Sequence, residues 1–226
     1  MRRLLVLPLL LVACATAPSV PSDSQPLTLS LQNLVCSDCG TELEQKALRV
    51  PGVRAAKFDA KATALQLQVA PGTDPAPIIA AITREPVDGV TITASVGAGK
   101  GAYAPFATPD PGTDVQQLSQ AGEDVPALAP ALAKGKVNVV DFYADWCGPC
   151  HEVDAHLHAR LAKDPRLAYR RINVVDWDTP VAKHYLAEAK ELPYLLVFDG
   201  QGHELARVAG MHLDALDAAI AKGEGP

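Results

Sequence analysis

The residues with the clearest capacity for chemistry are two pairs of cysteines, Cys36/Cys39 and Cys147/Cys150, each with two residues between its members. Such a pair closes a small, reversible disulfide or binds a soft metal ion between two thiolates. More than a hundred residues separate the pairs, far beyond zinc-ribbon spacing. We therefore expect two separate sites.

Strands and helices predicted around the second pair place it at the start of a helix. The stretch Val137–Tyr143 is apolar nearly throughout, which predicts a strand buried on both faces, and Asp141 is the only acid inside it. A long helical pattern follows. Because a helix N-terminus lowers the pKa of a thiol, we predict that Cys147 is an exposed nucleophile. Cys150, one turn further and more buried, would resolve the mixed disulfide.

The stretch Trp146-Cys-Gly-Pro-Cys150, after a strand that carries an acid, resembles the active site of the thioredoxin family. Residues 143–147, 198–202 and 206–211 also resemble the C-terminal thioredoxin-like domain of DsbD. The resemblance implies a thioredoxin fold and a thiol–disulfide oxidoreductase that acts as a reductant. No cofactor is expected for this redox chemistry.

The same resemblance implies roles for residues beyond the two cysteines. Asp141 would be the buried carboxylate that takes the proton of Cys150, with a pKa raised by burial. Trp146 precedes the nucleophile, and Pro193 occupies the place of the family's cis-proline, facing the cysteines. His151 replaces a frequent lysine; a charged imidazole there would stabilise the Cys147 thiolate.

Residues 27–96 predict a small domain around the first pair. Strands are expected at 27–34, 53–58, 64–69 and 90–96. One helix is expected to start after Cys39, and a second helix is expected to cover 77–84. The order βαββαβ is typical of a ferredoxin-like fold. Cys36 and Cys39 lie between the first strand and the first helix, where the helix N-terminus favours thiolates.

The segment Asn33-Leu-Val-Cys-Ser-Asp-Cys39, with Pro51-Gly52-Val53 after the helix, resembles the heavy-metal-associated domain of copper chaperones and metal-transporting ATPases. The resemblance implies that Cys36 and Cys39 bind a soft ion such as Cu(I), Hg(II) or Zn(II). Asp38 between them leaves the identity of the metal open. The alternative is a ferredoxin-like domain whose cysteines form a static disulfide.

Residues 123–226 predict the second domain, with α/β alternation. Beyond the strand and helix at the active site, a helical stretch is expected at 127–134, a strand at 167–175, a helix at 180–190, a hairpin at 195–208 and a final helix at 213–222. Residues 97–122 are rich in glycine and proline and predict a flexible linker. Whether Tyr103 and Phe106 in this linker dock on a domain stays open.

The N-terminus has the features of an export signal. Residues 1–13 begin with two arginines and continue as an apolar run too short to span a bilayer. The run ends in Leu11-Val-Ala-Cys14, which resembles a bacterial lipobox and implies acylation of Cys14, with residues 14–26 as a tether. An ordinary secretory signal is the alternative. We expect a lipid-anchored protein facing the periplasm, and the absence of an acidic residue after Cys14 favours the outer membrane.

Composition and charge exclude other classes. The formal net charge is −6 with no basic run, so nucleic-acid binding has no electrostatic basis. We expect an envelope thiol–disulfide oxidoreductase coupled to a metal-binding module. Its partners would be periplasmic protein thiols and disulfides, a membrane electron donor and its own Cys36/Cys39 pair. The alternatives are a metal chaperone or sequestering protein, kept reduced by the second domain, and an electron relay without metal.

Overall fold

The computed structural model describes residues 20–36, 38–87, 89–97 and 99–225, and in these ranges it forms two modules, each built on one five-stranded sheet. The predicted signal peptide and Cys14 lie outside the described residues. No helix in the described ranges is long and apolar enough to cross a bilayer.

The first module follows the predicted order of strands and helices. Its sheet has the order β2-β3-β1-β4, all antiparallel, and both helices pack on it. Leucines alternate along β1 and β3, so that Leu29, Leu31 and Leu65 are fully buried. The elements are β1 (Gln25–Leu34), α1 (Cys39–Leu48), β2 (Val53–Asp59), β3 (Ala64–Val69), α2 (Pro75–Thr83) and β4 (Thr93–Val96).

One strand of this module starts later than predicted. Val87 and Val90 exchange two backbone hydrogen bonds of 3.0 Å, and Gly89 between them has a φ of 75°. This tight turn includes Val90, which the alternation of apolar and polar residues assigned to the last strand. β4 therefore begins only at Thr93.

Two short strands lie inside the segment predicted to be a flexible linker. β5 (Ala102–Tyr103) pairs in parallel with β1. β6 (Val115–Ser119) pairs in parallel with β8 (Leu167–Asn173) of the second module. The linker is therefore attached to both sheets. Composition could not predict these pairings, because the partner strands supply the stabilising hydrogen bonds.

The second module has a mixed sheet of order β10-β9-β7-β8-β6, with β7 in the centre. All seven residues of β7 are buried, as its apolar sequence predicts. The remaining elements are β7 (Val137–Tyr143), α3 (Gly148–Leu161), β8 (Leu167–Asn173), α4 (Pro180–Tyr185), β9 (Tyr194–Phe198), β10 (Glu204–Ala209) and α5 (Leu213–Glu224).

The predicted helix at 127–134 is wrong. Only Ala129–Ala131 forms a short 3-10 turn. Pro126 and Pro130 each lack a backbone N–H and prevent a continuous helix. α4 is also shorter than predicted, and it ends at Tyr185 instead of residue 190.

Candidate active site

Cys147 and Cys150 form a disulfide at the N-terminus of α3, with their Cα atoms 5.3 Å apart. Cys147 is the N-cap residue, and its Sγ accepts a hydrogen bond of 3.2 Å from the backbone N–H of Cys150. In the reduced protein this N–H and the helix dipole favour a thiolate at Cys147 over one at Cys150. The asymmetry that the exchange reaction needs is therefore built into the backbone.

The prediction that Cys147 is exposed is wrong for this structure. Only 4% of Cys147 is accessible, and Cys150 is fully buried. Gly148, the next residue after Cys147, faces the loop of the first module that carries Cys36. The loop helps to bury the predicted nucleophile, a contact between distant segments that no local sequence pattern contains.

Asp141 lies in the middle of β7 and is fully buried. The Tyr169 hydroxyl donates to its Oδ2 at 2.7 Å, while Oδ1 has no hydrogen-bond partner among the described residues. Burial raises the pKa of Asp141 to about 7, and the hydrogen bond from Tyr169 and the charge of Arg171 oppose this rise. The predicted rise is confirmed, and the carboxyl exchanges protons near neutral pH.

Tyr169 connects Asp141 to the helix of the active site. Its hydroxyl lies 3.2 Å from Oδ1 of Asp154, which is buried in α3. Asp154 follows Cys150 by four residues, so the two side chains share one face of the helix. The connection places Asp141 on the α3 side of the sheet, linked through Tyr169 to Asp154, which lies about one helical turn from Cys150.

Arg171 is a site residue that sequence reasoning missed. Its guanidinium lies 4.5 Å from the ring centroid of Tyr143 and 4.8 Å from that of Phe106. One nitrogen is 3.2 Å from Asp154, close enough for an ion pair but without hydrogen-bond geometry. A charged residue inside the buried strand β8 was the available signal, since arginine is almost never fully buried without a partner.

Trp146 immediately precedes Cys147 and packs on the buried cluster that contains both cysteines. Leu192, the residue before Pro193, belongs to the same cluster. The indole N–H of Trp146 donates to the carbonyl of Val175 at 2.7 Å. Val175 has a φ of 61°, an uncommon conformation for a β-branched residue, and 41% of it is exposed. The Leu192–Pro193 peptide is cis, as the resemblance implies.

His151 does not have the environment that the charge hypothesis requires. Its ring stacks on Phe106 with centroids 3.9 Å apart, and burial lowers its pKa. The lowered pKa disfavours the charged imidazole that the hypothesis requires. The stack also answers the question about Phe106, which docks on the second module.

Cys36 and Cys39 form the second disulfide, with Cα atoms 5.4 Å apart. Cys39 begins α1, and its backbone N–H donates to Cys36 Sγ at 3.1 Å, as in the other pair. Cys36 is half-buried, whereas Cys39 is 5% exposed. The ring of Phe58 packs against Gly40, where it leaves no space for a Cβ atom, and helps to fix the start of the helix.

The surroundings of this pair provide only two sulfur ligands. Among the described residues, no group of three or more histidine, cysteine or acidic side chains is arranged to hold a metal ion. Asp38 is exposed at the N-cap position of α1, and its side chain makes no capping hydrogen bond. Two thiolates fit a soft, two-coordinate ion, but only after the disulfide is reduced.

A reactive disulfide at a helix N-terminus, a buried acid of raised pKa and a neighbouring cis-proline define a thiol–disulfide oxidoreductase. The family model for thioredoxin matches residues 127–222. Thioredoxin-1 of Saccharomyces cerevisiae is 34% identical over 91 residues, which are 40% of this chain and 84% of that protein. The chain belongs to the thioredoxin family.

Two further comparisons concern the second module. The thiol:disulfide interchange protein DsbD of Yersinia enterocolitica is 34% identical over 115 residues, which are 46% of this chain and only 20% of that protein. The crystal structure of a thioredoxin from Malassezia sympodialis aligns with a TM-score of 0.40 and 20% identity, covering 54% of this chain and 100% of that one.

Proposed function

We propose that the protein is a thiol–disulfide reductase of the bacterial envelope, coupled to a module that binds a soft metal ion. The observation that carries the redox part is the Cys147–Cys150 disulfide near Asp141, whose buried carboxyl has a pKa of about 7. A group that gains and loses a proton near neutral pH suits general acid–base catalysis.

The site residues divide the reaction between them. The Cys147 thiolate attacks a substrate disulfide and forms a mixed disulfide. Cys150 loses its proton to Oδ1 of Asp141, attacks Cys147 and releases the reduced substrate. Pro193 and Trp146 border the pair where an extended substrate would lie, and no cofactor is needed.

The direction and location follow from similarity and from the N-terminus. The second module is similar to part of DsbD, a protein named for thiol–disulfide interchange. In this proposal residues 1–13 are an export signal and Cys14 is acylated, so that the chain is anchored by lipid in the envelope and faces the periplasm. Disulfides persist in this compartment, so a reductant needs a membrane electron donor.

The first module is a ferredoxin-like, heavy-metal-associated domain in this proposal. Its strand order β2-β3-β1-β4, with both helices packed on the sheet, supports that assignment. Cys36 and Cys39 at the start of α1 are the ligands for Cu(I), Hg(II) or Zn(II). The metal chaperone is the second candidate function, with the thioredoxin module keeping these cysteines reduced.

Two variants separate the redox and metal functions. Cys147→Ser is expected to lower the rate of reduction of a small aromatic disulfide by at least about 10³-fold, because serine is a far weaker nucleophile at neutral pH. The same variant is expected to bind one equivalent of Cu(I) after chemical reduction, which also shows that it is folded. Cys36→Ser is expected to lose this equivalent. Full exchange activity in Cys147→Ser contradicts the proposed function, and Cu(I) binding that survives Cys36→Ser contradicts the metal site.

A further inference from the structure

The two cysteine pairs meet at Gly148. A Cβ atom built on this glycine would lie 2.9 Å from Cys36 Cβ and 3.9 Å from Cys36 Sγ. The carbonyl oxygen of Val35 lies between these two distances, at 3.8 Å, so the three nearest non-neighbour atoms all belong to the first module. The Cα atom of Cys147 is only about 3.8 Å from that of Gly148. The half-buried Cys36 of the first pair therefore lies against the residue that follows Cys147.

Other contacts hold the modules in this arrangement. Lys61 of the first module pairs with Asp176 of the second at 3.2 Å. Tyr103 in β5 donates to the carbonyl of Ala60 at 3.2 Å, while Phe106, three residues later, packs edge-on against Tyr143 with ring centroids 4.6 Å apart. The linker thus contacts both modules within four residues.

A cleft of about 990 Å³ lies between the modules and reaches the active-site tryptophan. Lys61 and Tyr103 line one side, and Trp146 and Trp177 line the other. The contacts at Gly148 and the ion pair therefore close only part of the interface. The modules touch at Cys36 and leave a cleft open beside Trp146.

We propose that the disulfide substrate of Cys147 is the Cys36–Cys39 pair of its own chain, so that electrons pass from the second module to the first inside one molecule. This inference rests on the proposed exchange activity of Cys147 and adds the identity of its partner. The sulfur of Cys36 is the one that reacts, because Cys36 faces the active site. Cys39 is only 5% exposed at the start of α1.

The transfer balances in atoms and electrons. The Cys147 thiolate attacks Cys36 Sγ, the Cys36–Cys39 bond breaks, and Cys39 leaves as a thiolate at the N-terminus of α1. Cys150 gives its proton to Asp141 and attacks Cys147, and Cys36 leaves as the second thiolate. One dithiol is oxidised and one disulfide is reduced by two electrons. The released thiolates take their protons from solvent, and Asp141 returns its proton there.

The buried acids determine where the proton that Cys150 releases during this transfer is taken up. Asp141 is a fully buried carboxyl in β7 with a pKa of about 7. The described part of the first module places no buried acid beside Cys39. Tethering keeps the effective concentration of the partner disulfide at about the mM level, so an external disulfide has to compete with the internal one.

Two double variants of the full chain test the contact directly. Cys39→Ser/Cys150→Ser leaves Cys36 and Cys147 in the two pairs, and mild oxidation with oxidised glutathione is expected to join them within one chain. Cys36→Ser/Cys150→Ser leaves the buried Cys39 with Cys147 and is expected to form this bond at least about tenfold more slowly. Mass spectrometry of a non-reduced digest identifies the linked peptides. Absence of the Cys36–Cys147 peptide, or equal rates in both variants, overturns the inference.

A charge swap shows that the docked arrangement controls the rate. In the Cys39→Ser/Cys150→Ser chain, Lys61→Glu is expected to slow formation of the Cys36–Cys147 bond about threefold, since exposed ion pairs are weak. Adding Asp176→Lys is expected to restore the rate, and Lys57→Glu, a reversal on a neighbouring strand, serves as the matched control. Equal slowing by Lys57→Glu, or no rescue by the swap, overturns the docking geometry.

Reduction of a small aromatic disulfide by the wild-type chain distinguishes failure of the proposed function from failure of the internal partner alone. A chain that reduces this compound but never forms the Cys36–Cys147 bond retains the proposed function and loses the internal partner. A chain that reduces neither disulfide loses both.

Discussion

The two cysteine pairs have the same backbone geometry but differ in the buried residues of their surroundings. In each pair the second cysteine donates its N–H to the first sulfur, at 3.1 Å for Cys36 and 3.2 Å for Cys147. A buried acid with a raised pKa accompanies only Cys147 and Cys150. A helix N-terminus is enough to favour a thiolate, whereas catalysis of exchange also needs a group that takes the proton of the buried thiol.

The largest test of this comparison is removal of the first sulfur from each pair. Cys147→Ser is expected to abolish reduction of a small disulfide, with a loss of at least about 10³-fold, because no activated thiolate remains. Cys36→Ser is expected to lose less than about threefold in the same assay, since Cys147, Cys150 and Asp141 are unchanged. Initial rates measured at pH 7 with a dithiol donor give both values. Comparable losses in the two variants would show that both pairs catalyse exchange.

The next test concerns Asp141 and the pH dependence of stability. Its pKa of about 7 in the folded protein lies above the ordinary value of 3.8, so the native state holds the extra proton between these values. The free energy of unfolding therefore falls as pH rises through this window. Asp141→Asn is expected to remove this slope and to stabilise the oxidised second module at pH 8 by up to about 4 kcal/mol.

Chemical denaturation of the second module at pH 5 and pH 8 measures the difference. Asp38→Asn is the matched control in the first pair, because Asp38 is exposed and should leave the slope in place. A slope that persists in Asp141→Asn would assign the titration to another group. The variant should also slow exchange near pH 7, where Cys150 has lost its proton acceptor.

A smaller effect is expected from the hydrogen bond to Asp141. Tyr169→Phe removes the hydroxyl that donates to the carboxylate at 2.7 Å and helps to hold its pKa down. The pKa of Asp141 should rise by about one unit, the equivalent of roughly 1.4 kcal/mol. Infrared titration of the buried carboxyl measures it. A pKa that stays unchanged or falls would exclude Tyr169 as a positioning residue.

The smallest effect concerns the linker contact over the active site. Phe106→Ala removes the stacked ring from His151, which should become more exposed and regain a pKa closer to its ordinary value. The loss of stability should be about 1 kcal/mol. NMR titration of the His151 ring follows the pKa. An unchanged titration of His151 would mean that the second module alone buries it.

Much of each module was predictable from local patterns. Alternating leucines in β1 and β3, and the apolar run of β7, locate strands because burial of one or both faces requires those sequences. The helices beginning near each cysteine pair follow from apolar spacing. The failures have local causes as well, since prolines around residue 130 and the turn at Gly89 override the average pattern.

The site was less predictable than the fold. The sequence identified Cys147, Cys150, Asp141, Trp146 and Pro193 as candidates, and the structure places Asp141 in a buried network with Tyr169. Arg171 was missed, because two of its three aromatic neighbours come from β7 and from the linker. The exposure of Cys147 was mispredicted for the same kind of reason, since the covering loop lies more than a hundred residues earlier.

The sequence by itself determined which residues carry the chemistry of this protein: two Cys-x-x-Cys pairs at helix starts and one acid in a buried strand. These properties depend on residue type and on neighbours within a few positions. Only the tertiary structure decided the raised pKa of Asp141, the lowered pKa of His151 and the contact between Gly148 and Cys36. Each of these depends on burial or on proximity between distant segments, which the folded chain creates and local sequence does not specify.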